Sequence, residues 1–170
     1  MASFSAYACG VVFGKLYPDP QFNLIMGESL VTIKAPSIYN LLTNNLGLIF
    51  IMVAGSFCFS AITIKNLFLN GYITGSVLST NLKLMLALFV PHAILEIPAI
   101  IIAGAAGFKI PYEILRYLAG KKEQILTQED IREYLTLALI SVILVVIAAW
   151  IEANITLEIA KAMLSSTKSI

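Results

Sequence analysis

The sequence predicts an all-α, polytopic transmembrane helical bundle. Three observations predict it. First, 59% of the residues are hydrophobic and only 12% are charged, where soluble domains carry about 25% charged residues. Second, several apolar stretches approach the ~20 residues that cross a bilayer as helix. A soluble protein of 170 residues would not bury them all. Third, the runs are continuous, whereas a transmembrane β-barrel needs alternating segments of about ten residues. The expected architecture is one integral membrane domain over residues 1–170. It has four full spans, a short broken or half-span helix, and interfacial amphipathic helices. The lipid bilayer is its first partner. A formal net charge of +1 gives no nucleic-acid signal.

The first span, residues 2–16, is short for a crossing at ~1.5 Å per residue. It has no Lys or Arg before Lys15, so it lacks the basic start of a signal peptide and reads as a segment that stays in the membrane. Pro18 and Pro20 stop it by forcing extended backbone on the residues before them. Over Gln21–Thr43, Phe22, Ile25, Met26, Leu30 and Ile33 recur at helical spacing. That pattern predicts an amphipathic helix in the interface, with a packed loop as the alternative. Residues 44–64 form the second span, in which Gly47, Gly55 and Ser56 allow a neighbouring helix close, and Lys65-Asn66 ends it. Cys9 and Cys58 lie in apolar runs and read as small buried hydrophobes without a disulfide.

Residues 67–80 are apolar but interrupted by Asn70-Gly71 and Gly75-Ser76. They read as a broken half-span, with Gly71 and Gly75 as a G-x-x-x-G close-packing pair. Residues 82–108 form the central run, ~40 Å long as helix against a core of ~30 Å. Kinks and tilt are therefore expected. Ala99, Ala103 and Gly107 make a ridge of small residues along its second half, suited to another helix. Lys109, Arg116, Lys121, Lys122 and Arg132 place the 109–132 loop on the cytoplasmic side of a cell membrane. Tyr112, Leu115 and Leu118-Ala119 predict a short interfacial helix there, ended by Gly120. Thr127 reads as the N-cap of the last span, residues 134–152, with Trp150 at the far interface.

The polar residues inside these runs are the candidate site. His92 and Glu96 are four apart, so on a helix they share one face. Pro91 and Pro98 each remove a backbone donor, freeing the carbonyls of Ala87 and Ile94 beside the pair. The functional reading is a proton relay, a cation site or a permeation path, because ionisable groups within membranes mark such places. The plainer reading is a polar clasp that holds neighbouring helices, and a solute or lipid-headgroup contact is the third. His92, Glu96 and Glu152 supply three metal ligands only if the last span folds back, against the Trp150 anchor. One histidine and no ligating cysteine pair argue against structural zinc. There is no nucleophile–base pair, phosphate-binding glycine loop, H-E-x-x-H or G-x-S-x-G. The expectation is therefore no enzyme and no cofactor.

Three segments carry a resemblance. They are Asn44-Asn45 with Gly55 and Leu69-Asn70-Gly71-Tyr72-Ile73-Thr74-Gly75; Val90-Pro91-His92-Ala93-Ile94-Leu95-Glu96-Ile97-Pro98-Ala99 with the Ala/Gly run to Gly107; and Ala148-Ala149-Trp150-Ile151-Glu152-Ala153. In this order they resemble the stage II sporulation protein M-like family of integral membrane proteins. Ala93 stands where the family has glycine. The resemblance ties Asn70 and Glu152 to the His92/Glu96 centre. It implies a multispanning protein without known catalysis, the namesake acting with peptidoglycan-degrading partners as a membrane anchor or scaffold. The leading expectation is a scaffold or accessory subunit that assembles with itself or with other membrane proteins. The rival is a channel or transporter for protons, small ions or a small solute, with His92 and Glu96 in the path.

Overall fold

The computed structural model describes residues 1–19, 37–79, 89–156 and 158–159. Five α-helices and no strand occur among them: α1 (Ala2–Leu16), α2 (Ile38–Ala54), α3 (Ala61–Leu78), α4 (Val90–Leu118) and α5 (Gln128–Ile151). A 3-10 turn at Gly55–Cys58 follows α2, and a π turn at Glu152–Thr156 follows α5. The core takes Tyr7 from α1, Ile49 and Met52 from α2, Leu67 from α3, Ala99, Ile100 and Ala103 from α4, and Val145 from α5.

Among the described residues three helical segments, rather than the expected four, are long and apolar enough to cross a membrane: Ile38–Cys58, Val90–Leu118 and Gln128–Thr156. At 15 residues, α1 measures only ~22 Å. The 44–64 run does not continue to Lys65, because the chain reverses at Phe59 and Ser60, both with positive φ. Neither residue is glycine, so no sequence signal marked the reversal. Residues 67–80 are correspondingly not a broken half-span: Ala61–Leu78 is one continuous helix. Asn66 and Asn70 do not interrupt it, since each donates its side-chain amide to the carbonyl four residues back. Both cysteines are exposed rather than buried, Cys9 because Gly10 and Gly14 define the packed face of α1. Most of the expected interfacial helix over residues 21–43, and the start of the 82–108 run, lie outside the described residues.

Glycines set how α1 meets α3. A Cβ on Gly10 would land on the backbone of Phe68, on Gly14 on that of Tyr72, on Gly71 on that of Tyr7, and on Gly75 on that of Val11. Rising numbers on one helix meet rising numbers on the other, so α1 and α3 run parallel with their backbones in contact. This is the close crossing that small residues four apart permit. Gly107 and Gly104 of α4 meet Thr63 and Leu67 in the opposite order, so α4 runs antiparallel to α3. The 119–127 connection returns α5 antiparallel to α4.

The expected interfacial helix near Tyr112 is instead the last third of α4, which passes through Pro111 without ending. Pro111 has no N–H to give the Gly107 carbonyl. Ser60 donates its hydroxyl to that carbonyl at 2.8 Å, and Ser56 lies 3.0 Å from both it and the Ala106 carbonyl. The α2–α3 turn thus supplies the donors that the proline withholds. Ser60→Ala should cost about 1–2 kcal/mol by leaving a buried acceptor short of a partner. The loss should shrink in a Pro111→Ala background, where a backbone donor returns. A double-mutant cycle of unfolding in detergent measures the coupling, and strict additivity would refute the exchange of donors. Farther on, α4 closes on Gly120 at φ 68. Gly120 donates to the Tyr117 carbonyl and Lys121 to that of Arg116, which completes a Schellman cap.

Candidate functional site

His92 and Glu96 lie near the start of α4, against which the π turn carrying Glu152 packs. His92 is buried. Its Nε2 lies 3.7 Å from Glu96 Oε2, beyond hydrogen-bond reach of ~3.2 Å. Its Nδ1 is buried with no partner, and Phe89 closes one side of the ring, edge-on at 5.7 Å between centroids. Among the described residues no group of three or more acids, histidines or cysteines is arranged to hold a metal ion.

Tyr7 and Thr74, not found by sequence reading, make a buried polar contact between α1 and α3. Thr74 Oγ1 donates to the Asn70 carbonyl at 2.9 Å and lies 2.7 Å from Tyr7 Oη. A threonine hydroxyl has one hydrogen, so Tyr7 must be the donor between the two. The order is Tyr7 O–H to Thr74, then Thr74 O–H to Asn70. The only sequence signal was the matched spacing of Gly10-x-x-x-Gly14 and Gly71-x-x-x-Gly75, which brings Tyr7 opposite Thr74.

The other expected site residues do not converge. Asn70 spends its amide on the Asn66 carbonyl at 2.9 Å. Pro91 sits in the first turn of α4 and opens the helix rather than breaking it. Pro98 and Ile94 lie on an exposed face, about 200° round the helix from Glu96 in the case of Pro98. The carbonyl that Pro98 frees is therefore no part of the His92/Glu96 spot. The packing ridges are filled within one chain. Gly71 and Gly75 meet α1, Ala99 and Ala103 are fully buried, and Gly107 meets Met52 and Thr63.

A second charged centre ties the opposite end of the bundle. Glu113, with its side chain 1% exposed, pairs with Lys109 at 2.9 Å, Lys122 at 2.8 Å and Arg116 at 3.2 Å. Lys109 also pairs with Asp130 and Glu133, and Lys122 with Asp130. The hydrogen bonds to Asp130 and then Glu113 hold the Lys122 ammonium pKa above its ordinary value. Asp130 completes the predicted cap of α5. Thr127 Oγ1 accepts from the Asp130 N–H, while the Asp130 carboxylate accepts from the Thr127 N–H. Three acids and three bases thus bind the end of α4, its connection and the start of α5.

A helical body with three membrane-length apolar segments among its described residues marks a membrane protein. Its family is equally definite. The family model for Stage II sporulation protein M matches residues 3–157, and the chain belongs to that family. It is 52% identical over 154 residues to uncharacterized protein MJ0793 of Methanocaldococcus jannaschii, covering 87% of this chain and 79% of that one. It is 35% identical over 101 residues to uncharacterized protein MJ0706 of the same organism, covering 56% of this chain and 46% of that one. No solved structure matches the chain.

Proposed function

We propose that the protein is a non-enzymatic membrane scaffold or accessory subunit, embedded with its 109–132 end on the cytoplasmic side. The observation that carries this reading is the outer face of α5. Leu135, Leu139, Ile143, Val146 and Trp150 are all exposed, while the helix buries only Asp130, Ser141, Val145, Ala148 and Ala149. The small-residue ridges are used inside the chain, so this apolar row is open to lipid or to another membrane helix. A cysteine-free variant carrying Leu139→Cys should crosslink in native membranes to a second copy or to another membrane protein. Ser141→Cys, on the buried face, should stay monomeric. Monomer alone from both Leu135→Cys and Leu139→Cys would end this reading.

A second reading is favoured by the unbonded imidazole of His92. In it, the His92/Glu96/Glu152 centre lies in the path of a proton or small ion. A helix clasp would have spent those groups on hydrogen bonds, as Ser56, Ser60 and Thr63 are spent elsewhere.

A further inference from the structure

A groove beside the last third of α4 has no part in either reading above. It is a cavity of about 720 Å³, within the ~300–1,000 Å³ of small-ligand sites. Its floor is one stripe of α4, made of Ala105, Phe108, Tyr112 and Leu115, which steps of three and four place on a single face. Ala2 and Ser3 of α1 wall it, with Phe59 of the α2–α3 turn and Glu133 of α5. Phe59 holds φ 48 without being glycine, and its ring stands exposed at the groove. Backbone held in that region clusters at ligand clamps.

The length of the groove selects its occupant. From Ala105, near the middle of the 29-residue α4, to Leu115 is ~15 Å, half of the ~30 Å hydrocarbon core. That is the depth of one leaflet, enough for an acyl chain and half of what a spanning helix needs. At the end of the stripe the chemistry changes. Arg116 follows Leu115 and stacks over the Tyr112 ring at 5.7 Å. Its side chain is exposed, and only Nη1 is spent, on Glu113 at 3.2 Å. A guanidinium carries five N–H donors, so several are left for an anion. Lys109 and Glu133, beside the floor, are paired with each other and add no spare charge.

We infer that this groove seats one phospholipid from the leaflet on the 109–132 side, an acyl chain lying on Ala105 and Phe108 and the phosphate on Arg116. Phosphate is the anion that the fork of a guanidinium fits best after carboxylate, and the apolar slot below it takes the chain. The site is separate from the outer face of α5 and from His92, so it stands or falls without them.

Native mass spectrometry of the full chain in nonionic detergent tests it, with phosphatidylglycerol, diacylglycerol and inorganic phosphate as separate probes. Phosphatidylglycerol should bind one per chain and about tenfold more tightly than diacylglycerol, the gain of one hydrogen-bonded charge contact. Inorganic phosphate should not be retained. Arg116→Gln should bring phosphatidylglycerol down to the affinity of diacylglycerol and leave diacylglycerol unchanged. Leu115→Gln, at an exposed position where folding is not at stake, should weaken both lipids alike. Where Arg116→Gln does not fold, Arg116→Lys keeps a charge opposite Glu113, and loss of the fork should still narrow the preference. Equal wild-type affinities for the two lipids, or a phosphatidylglycerol affinity unmoved by the Arg116 and Leu115 substitutions, would overturn the inference. Inorganic phosphate held as tightly as phosphatidylglycerol would also overturn it, leaving an anion site without a lipid. So would a dimer that lipid does not displace and that Leu115→Gln dissolves, which would give the groove to a second copy.

Discussion

Gly71→Ala should destabilise the protein by about 3 kcal/mol, at the upper end of what overpacking costs. The added methyl would overlap the backbone of Tyr7, and backbone has no rotamer into which to retreat. For a chain of this size the unfolding midpoint in detergent should fall by about 6–12 °C. The same substitution at Gly47, where a Cβ meets nothing within 4 Å, should be neutral or raise stability by up to about 1 kcal/mol through helix propensity. Two glycines in apolar helices are thus expected to respond with opposite signs. Equal midpoints for Gly71→Ala and wild type would mean that α1 does not press on α3 as described.

Glu113→Ala should cost about 3–5 kcal/mol, the range found when one member of a buried ion pair is removed. Three cations would lose their shared anion, whose own side chain is 1% exposed. Glu113→Gln keeps the shape and should lose nearly as much. Glu123→Ala, at an exposed acid of the same connection, should stay within about 0.5 kcal/mol. Denaturant titration of the three variants decides the matter. A Glu113→Ala protein as stable as Glu123→Ala would show the cluster to be loose ion pairing at the surface.

Much of the bundle was legible because apolar length and caps act locally. Thr127 and Asp130 cap α5 through their own neighbours, and Gly120 ends α4 through its own φ, so both could be read without knowing the fold. The misreadings share one cause, which is that distant residues changed what local signals meant. The stretch around Tyr112 looks like a separate interfacial helix until the hydroxyls of Ser56 and Ser60 replace the donor that Pro111 lacks and carry α4 through it. Asn70-Gly71 looks like a break until the glycine is seen as the seat of α1. The site shows the same division. His92 and Glu96 are paired by their spacing alone. Glu152 was tied to them by resemblance, and Tyr7 meets Thr74 because a helix more than sixty positions away delivers it.

That delivery bears on how the protein is made. Tyr7 and Thr74 are 67 positions apart, so α1 emerges from the ribosome well before the helix on which it rests. At about 5–20 residues per second, α1 waits about 3–13 s with Gly10 and Gly14 bare. Its 15 residues are too short to cross a bilayer upright, and a lone helix with a glycine groove is a poor fit to lipid tails. The wait is therefore a window in which the groove of α1 stands unfilled. It closes when α3 enters beside α1 in the same direction.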